Sequence, residues 1–436
     1  MKRYFLFITI LLLIHAFFMF YNLEKWSIFG WDQVDNAWAA MRILVAHKYP
    51  LLGMVAKQNS GLYIGPLYYY LVAIFYFFTR FDPIASPIVA GCTALFSFAS
   101  PILAGCTALF SYWVIYGVSR RLFNKKVALI SCFIYTFSSS IIQAERIQWP
   151  VNFIAPVGLL IFYFLYKVMT GNTKYIIHLA AAVGLSFHIH FTSVFYPIII
   201  LLSLPLIPIN KKMWKYVFIA IPVFAVFMIP QAIYYALANH QNSLGNYNGY
   251  FKSYYHGFHL QRMVQLSHDA FIKFQSILEK PYTMLRNAVF LYIPLFFFFF
   301  LHKQKHTQFL KLFYLIALWI LVPWIVFTTY SGEISDYYFN IQLYLAVILF
   351  AYLTVWIWET KKIILRAAIG IFWLYFAVAN VQVFFNTKPG NLIKDRITVL
   401  ENVNKGQLIN FTEGDPKSYL DFYYSYTQHK PLPFNL

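Results

Sequence analysis

The chain has 436 residues, of which 60% are hydrophobic, 21% aromatic and only 11% charged. Because soluble globular proteins carry about 25% charged residues, this composition excludes a cytosolic enzyme, a disordered scaffold and a secreted disulfide-rich protein. The formal charge of +19 does not indicate a nucleic-acid partner, since the cations form short clusters between apolar runs rather than one basic face. Cys92, Cys106 and Cys132 lie inside such runs without CxxC spacing, which predicts small buried or lipid-facing side chains.

Runs of the length that crosses a membrane occur along most of the chain. The first, 4–21, follows Lys2 and Arg3 and predicts an uncleaved span with a cytoplasmic N-terminus. The others are 84–117, 127–144, 153–169, 175–192, 194–209, 216–237, 287–301, 310–329, 339–358 and 363–383. With Met1 inside, every short basic loop falls on one side, as the positive-inside rule requires. The sequence therefore predicts an all-α integral membrane protein of the inner (plasma) membrane with about 11 transmembrane helices.

The run 62–78 decides on which side of the membrane every later loop lies, because one additional crossing would reverse them all. Its short length, Pro66 and three consecutive tyrosines favour a helix that lies in the outer interface. In the alternative, this run crosses the membrane and 84–117 is a hairpin folded at Pro101. The run 84–117 contains a direct repeat: residues 85–98 recur with few changes as residues 99–112. We interpret the repeat as a local duplication, which a tilted or kinked helix can absorb.

The predicted topology divides the chain into a transmembrane region, 1–383, and a short extracytoplasmic C-terminal region, 384–436. The first outer loop, 22–83, carries interfacial helices, and the second covers 145–152. In the first loop Asp32 and Asp35 are three residues apart on one helix and share a face. An aspartate at a helix start is often an N-cap, whereas a carboxylate at the outer membrane face could also act as a general base. Periodicity leaves both interpretations open.

Two segments carry a resemblance to a known family. WDQVDNAWAAMRILVAHKYPLLG, followed by GLYIGPLYYYL, resembles the first outer loop of the GT-C glycosyltransferases. The chain is similar to the bacterial protein O-mannosyltransferase and aminoarabinose lipid A transferase branches of that group. The basic motif RRLF, the second outer loop ERIQWPVN and, more weakly, SGEISDYYFNIQLYL extend the similarity.

The resemblance implies an inverting transferase that takes a sugar from a polyprenyl-phosphate donor outside the cytoplasm. Carried onto this chain, it makes Asp32 the catalytic base, with Asp35 and Glu333 as supporting acids. It implies a membrane lipid environment and a glycan, lipid or protein acceptor. A phosphate is already a good leaving group, so such an enzyme need supply only positioning, a base and positive charge near the departing oxygens.

The chain departs from the family pattern in three places. Gln33 stands where relatives often have glutamate, Ile64 replaces a lysine, and Asn152 takes the place of an acidic residue in the second outer loop. The loss of two carboxylates argues against a bound divalent metal, and no cofactor is assigned. Since the lysine is also missing, another cation has to meet the lipid phosphate.

Arg146 is the first candidate for that cation, because the family places an arginine in the second outer loop and its guanidinium can bind phosphate in a bidentate manner. Lys57 is the second. An interfacial arginine that reaches toward lipid headgroups is the alternative for Arg146. Further candidates face the sugar or the lipid, although each could equally be an interfacial anchor or a packed core residue: Tyr63, Tyr68, Tyr69, Trp149, Asn152 and His190.

Two other classes of function remain open at this stage. A glycolipid transporter or flippase would commonly show repeated sets of spans and broken helices in matching halves, and the sequence has neither. An envelope polysaccharide polymerase or ligase would differ from the first interpretation only in using an undecaprenyl-linked glycan as its acceptor.

Overall fold

The computed structural model describes residues 2–55, 62–85, 108–237, 249, 252–255, 257–266, 268, 307–332, 334–405 and 415–427. Within these ranges the chain is helical and has no strand, although two isolated antiparallel bridges join Val55 to Tyr63 and Tyr255 to Tyr330. The prediction of an all-α protein is confirmed for this part of the chain. Predictions on the following lie outside the described residues: Lys57, Cys92, Cys106, Glu333, most of the repeat and the run 287–301.

Sixteen α-helices cover most of the described residues. In chain order they are α1 (Lys2–Phe20), α2 (Leu23–Trp26), α3 (Trp31–Leu44), α4 (Leu67–Phe78), α5 (Ala108–Leu122), α6 (Lys125–Phe137), α7 (Ser139–Glu145), α8 (Ile154–Met169), α9 (Tyr175–Ser186), α10 (Phe195–Ser203), α11 (Lys211–Leu237), α12 (Thr307–Thr328), α13 (Asn340–Glu359), α14 (Ile363–Phe385), α15 (Leu392–Asn404) and α16 (Pro416–Thr427). Short 3₁₀ helices cover Pro150–Phe153, Phe191–Val194, Leu204–Leu206 and Asp336–Phe339.

Among the described residues, five helical segments are long and apolar enough to cross a membrane. They are Pro150–Met169, Lys211–Leu237, Gln308–Thr328, Tyr337–Glu359 and Ile363–Phe385. Helices α6 and α7 make a sixth if the pair, bent by 67°, is one span. Shorter apolar helices cover Tyr4–Phe20, Leu67–Phe78, Tyr175–Ser186 and Phe191–Leu206. Each predicted run within the described ranges is therefore helical, while the number of crossings stays a prediction.

The helices pack through two large apolar cores. One lies between α1, α5, α6, α13 and α14, with Tyr135 and Phe376 among its fully buried side chains. The other lies between α8, α9, α10, α12 and α13 around Phe162 and Trp319. Trp319 donates its indole N–H to the carbonyl of Ile341 at 2.8 Å, which satisfies the one polar group that this ring buries. Close packing of this kind holds helices together where lipid replaces water.

Basic residues gather at one end of the bundle, which we call the lysine end. Lys126 pairs with Glu359 at 2.8 Å, and the ammonium of Lys311 donates to the carbonyls of Met169 and Leu206 at 2.6 and 3.0 Å. Met169 ends α8 and Glu359 ends α13, and these helices pack side by side. The short basic loops within the described ranges therefore share one end, in agreement with the clustering that the sequence predicts.

The opposite end, which we call the Asp32 end, carries α2, α3 and α4 together with α15 and α16. Helices α3 and α4 pack along each other, and α16 packs on α3. The twelve residues of α4 extend only about 18 Å, less than the thickness of a bilayer core. Tyr69 near its start and Asp82 beyond its end both contact this same group of helices. This arrangement favours the interfacial interpretation of residues 62–78.

Candidate active site

Asp32 stands in the first turn of α3 but does not cap it. Gly30 is the N-cap residue, and its backbone N–H donates to the side-chain oxygen of Gln33 at 3.0 Å. Within the described residues the structure gives the Asp32 carboxylate no hydrogen bond or ion pair. Its position is favourable for a negative charge, because the unsatisfied N–H groups of a helix start create a positive potential. Capping therefore does not explain why an aspartate occupies position 32.

Asp35 shares the helix face of Asp32, as the spacing predicts. The hydroxyl of Tyr69 donates to the carboxylate of Asp35 at 2.6 Å, which fixes this acid against α4. Burial, and then the negative charge of Asp35, raise the pKa of Asp32 from 3.8 to about 6. Asp32 thus remains ionised at neutral pH but takes up a proton more readily than an exposed aspartate does.

Gln33 joins the first outer loop to the second. In addition to accepting from Gly30, it donates its amide N–H to the carbonyl of Gln148 at 2.7 Å in a buried contact. The side chain of Gln148 is itself fully buried and lies beside the hydroxyl of Tyr68. In the sequence Gln33 stands where relatives often have a carboxylate, and no pattern marks Gln148. An amide is suited to this place, since it donates to one partner and accepts from another.

The loop that leads into α4 is held by His188. The backbone N–H of Leu67 donates to Nδ1 of His188 at 3.5 Å, while Nε2 lies 2.8 Å from the carbonyl of Phe227 in α11. Gly65 lies against the same ring, and its N–H donates to the carbonyl of Phe187 at 3.0 Å. The glycine of the YIGPL segment is therefore required by close approach, because a side chain there would overlap the imidazole.

Gly65→Ala should lower the melting temperature of the detergent-solubilised protein by several degrees. An added Cβ would lie 1.9 Å from Nδ1 of His188, and overpacking of this kind typically costs about 1–3 kcal/mol. Gly370→Ala is the matched control, since nothing lies within 4 Å of the Cβ that it adds. A Gly65→Ala protein that melts with the wild type would show that the loop moves aside without strain.

A cleft of about 500 Å³ opens beside this loop. Its walls are mostly apolar or aromatic, and they include Leu62, His190, Phe195, Phe327, Tyr330 and Tyr338. Nδ1 of His190 accepts from the backbone N–H of Thr192 at 3.2 Å, which assigns its proton to Nε2. Trp149 reaches the same neighbourhood, because its ring is 4.6 Å from that of Tyr337, which is 5.5 Å from that of His190.

The predicted site residues thus fall into two neighbouring groups. Asp32, Asp35 and Tyr68 lie around the start of α3, whereas His190 lines the cleft and Trp149 lies near it against Tyr337. The bond from Gln33 to Gln148 connects the groups, because Trp149 follows Gln148 directly. Tyr63 is 40% exposed, and its carbonyl accepts from Gln231 at 3.2 Å.

Arg146 bonds to neither group within the described part of the chain. It is buried, and its guanidinium donates to the carbonyls of Phe18 and Met19 at 2.5 and 3.3 Å and to that of Tyr21 at 2.9 Å. These groups belong to the end of α1, whose last carbonyls have no partner within the helix. The guanidinium carbon also lies 5.3 Å from the ring centroid of Trp26. The contacts are those of an anchor for α1, so the phosphate-binding role of Arg146 stays a prediction.

Asn152 and Glu145 lie together at a second cleft behind the second outer loop. The amide of Asn152 donates to the carbonyls of Ala144 and Ile147 at 3.1 and 2.7 Å and so closes the turn after α7. Glu145, which the sequence interpretation did not select, accepts from the hydroxyls of Tyr135 and Tyr344. A buried carboxylate next to two tyrosines is recognisable only once the helices are packed.

No group of three or more His, Cys, Asp or Glu side chains among the described residues could hold a metal ion. Residues 260–266, a further short helical stretch, place one more cation near the cleft, and no sequence pattern marks it. Arg262 donates to the carbonyl of Gly332 at 2.6 Å, two residues from Tyr330 in the cleft wall. Its Nε is buried and makes no hydrogen bond within the described structure.

Comparisons with known proteins agree with this architecture. Residues 83–234 match the model of the family described as dolichyl-phosphate-mannose-protein mannosyltransferase. The crystal structure of ArnT from Cupriavidus metallidurans bound to undecaprenyl phosphate is similar, with a TM-score of 0.57 and 11% identity over 91% of this chain and 72% of that one. The apo structure of the same protein gives a TM-score of 0.52 and 12% identity, covering 97% and 67%.

A search of curated proteins finds no sequence match. The family match begins at residue 83, where the first outer loop ends, so it does not include Asp32. At these identities the two crystal structures establish the shared fold alone. Together, the match over residues 83–234 and the ArnT-like helical fold confirm the resemblance of this chain to the GT-C glycosyltransferases.

Proposed function

We propose that this protein is an inverting glycosyltransferase that moves a sugar from a polyprenyl-phosphate donor to a glycan, lipid or protein acceptor on the extracytoplasmic face of the membrane. The observation that carries the proposal is Asp32, a carboxylate that caps no helix and is partly desolvated at one end of an ArnT-like fold. An acid that bonds to none of the described residues at such a place is suited to chemistry rather than to stability.

Asp32 acts as the general base. It accepts the proton of the acceptor hydroxyl or amine while that nucleophile forms a bond to the anomeric carbon of the sugar. The bond from the anomeric carbon to the phosphate oxygen breaks, and the lipid phosphate leaves with the electron pair. A pKa of about 6 leaves Asp32 ionised at neutral pH, and it is higher than that of an exposed carboxylate and so closer to the ideal for a base.

The donor occupies the cleft beside His190. The apolar wall of this cleft suits the first isoprene units of the donor. The nearby rings of Trp149 and Tyr337 offer an aromatic face to its sugar. ArnT, which shares this fold, has been crystallised with undecaprenyl phosphate, and this supports a polyprenyl-phosphate ligand here. Asp35 and Glu333 support the base, and Tyr63 and Tyr68 line the approach to it.

Arg262 and Lys57 are the cations that we assign to the donor phosphate. The buried Nε–H of Arg262 bonds to none of the described residues, and its guanidinium donates to Gly332 near the cleft wall, whereas three backbone carbonyls already engage Arg146. A guanidinium bound to the phosphate would stabilise the negative charge that develops on the departing oxygens. This proposal moves the first-choice role from Arg146 in the second outer loop to Arg262, which lies between α11 and α12.

The sidedness of the reaction follows from the charge at the two ends of the bundle. The short basic loops gather at the lysine end, which the positive-inside rule assigns to the cytoplasm. The N-terminus of α1 belongs to that end, and Asp32 belongs to the opposite one. These charges support our proposal of an active site that faces away from the cytoplasm, in a protein of the inner (plasma) membrane.

The decisive experiment uses the full chain in nanodiscs with a synthetic undecaprenyl-phosphate sugar that carries a radiolabel in the sugar. The proposal expects release of undecaprenyl phosphate together with labelled acceptor from a membrane extract. The same donor in sealed proteoliposomes distinguishes a transferase from a flippase, because a flippase would move the intact donor between leaflets without cleaving it. Transport without cleavage would overturn the proposal.

Arg262→Ala should raise the KM for the donor about tenfold, which corresponds to the loss of about 1.4 kcal/mol of binding. The kcat at saturating donor should fall less, provided that Lys57 still meets the phosphate. Lys252→Ala is the matched control, because Lys252 is an exposed cation of the same connection between α11 and α12. An unchanged KM in Arg262→Ala would remove Arg262 from the donor site.

A further inference from the structure

The segment that follows α14 folds back onto the first outer loop. Helix α15 contacts α2, and α16 contacts both α15 and α3. The backbone N–H of Gly390 donates to the carbonyl of Lys25 at 2.9 Å. A Cβ at Gly390 would lie 1.9 Å from the carbonyl oxygen of Ser27, so only glycine allows this approach. The two segments are therefore joined backbone to backbone.

Asn391 makes the most specific contact of this junction. Its side-chain oxygen accepts from the backbone N–H of Phe29 at 2.8 Å, and its amide donates to the carbonyl of Phe29 at 2.8 Å. One side chain thus satisfies both backbone groups of a buried residue, in the manner of a neighbouring strand. Phe29 directly precedes Gly30, the N-cap of α3, and Asp32 follows two residues later.

Two further contacts hold the same junction. Arg396 lies between Glu24, at 2.8 Å, and Asp82, to which it also donates. Tyr419 is fully buried, with ring centroids 5.7 Å from Phe29 and 5.1 Å from Trp38. These side chains bring α15 and α16 into the core of the first outer loop rather than beside it.

We propose that Asn391 is a positioning residue for the reaction: it fixes the start of α3, and with it the carboxylate of Asp32, relative to the donor cleft. This inference rests on the proposed function of Asp32. The first turn of a helix lacks part of its internal hydrogen bonds and frays unless something outside the helix holds it. A displacement of about 1 Å in a reacting group can lower the rate about 10²-fold. Loss of the Asn391 contact should therefore lower kcat.

The test compares Asn391→Ala, Asn391→Ser and Thr398→Ala with the wild type, each as the full chain in nanodiscs. Thr398 is the matched control, because its hydroxyl bonds to the carbonyl of Lys394 in its own helix. We expect Asn391→Ala to lower kcat for a synthetic undecaprenyl-phosphate sugar at least tenfold, with the KM for the donor within twofold. Backbone hydrogen exchange in residues 27–36 should become at least tenfold faster. Asn391→Ser, which keeps one hydroxyl, should lie between Asn391→Ala and the wild type.

Three outcomes would overturn the inference, and they can be told apart. Wild-type kcat and wild-type exchange in both Asn391 variants would show that the junction does not hold α3. Equal losses in kcat and in the fraction of folded protein would show a role in folding alone, and Asn391→Ser allows this check even if Asn391→Ala does not fold. A wild type that cleaves no donor would overturn the proposed function, and with it any role of Asn391 in catalysis, whatever the exchange data show.

Discussion

Asp32→Asn is expected to reduce the rate of sugar transfer by about 10²–10⁴-fold, the range that a general base contributes. The amide has nearly the same shape as the carboxylate but cannot accept the proton of the acceptor. Because no described residue bonds to the Asp32 carboxylate, the exchange should leave the surrounding contacts intact. The rate is measured with saturating donor and acceptor, and the KM for the donor should change little.

The same carboxylate should give the wild-type enzyme a recognisable pH profile. Protonation of Asp32 removes the base, so the rate should fall as the pH drops through about 6. The folded pKa of about 6 lies above the ordinary value of 3.8, so the folded state binds more protons than the unfolded state between those values. Stability should therefore decrease as the pH rises through this window. At pH 7, Asp32→Asn should melt at a higher temperature than the wild type, and the difference should shrink as the pH falls below 6 and vanish below 3.8.

Glu401→Gln is the matched control for Asp32→Asn, because it neutralises an exposed carboxylate on α15. It should leave both the rate and the acidic limb of the profile unchanged. If Asp32→Asn kept its full rate, the base would have to be another group. If it were inactive and also less stable than the wild type at pH 7, its inactivity could be attributed to damage to the fold.

Arg146→Ala should lower the free energy of unfolding by about 3 kcal/mol. The change removes three hydrogen bonds from a charged donor, each typically worth about 1.5–3 kcal/mol, together with contacts to the rings of Trp26 and Phe384. These terms are not additive, since α1 can relax once it is released. The melting temperature of the purified protein, followed by size-exclusion chromatography after heating, reports the loss.

Arg146→Lys distinguishes a residue that anchors α1 from one that binds the donor phosphate. A lysine keeps the charge but cannot present the planar fork that reaches three carbonyls, so it should recover only part of the stability. The KM for the donor in the folded fraction should stay near that of the wild type. Lys388→Ala, which removes an exposed cation near the end of α14, should change neither quantity. A raised KM in Arg146→Lys at unchanged stability would return the phosphate role to this residue.

The helices of this protein are largely evident in its sequence. Apolar runs of about 20 residues and the sidedness of lysines depend on local composition, and each run within the described residues is helical. The placement of Asp32 and Asp35 on one face of a helix followed from the 3.6-residue period alone. These are properties that neighbouring residues determine without knowledge of the fold.

The partners of the site residues could not be predicted in the same way. Whether Arg146 meets a phosphate or the end of α1 depends on where residues 18–21 lie, which no local pattern contains. Gln33 resembles a defect in a family motif until Gln148 is seen beside it. The contact between Asn391 and Phe29 spans 362 residues, and its chemistry, one amide against one peptide group, has no periodic signature.

That separation also orders events during synthesis of the chain. A ribosome makes Phe29 long before Asn391. The turn that bears Asp32 therefore lacks the hydrogen bonds of Asn391 while the helices between the two residues are being inserted. A nascent product, or one terminated before α15, would carry every residue of the reaction centre up to Tyr338 and still lack the part that aligns it. Full catalytic activity would thus be reached only in molecules whose translation has passed Asn391.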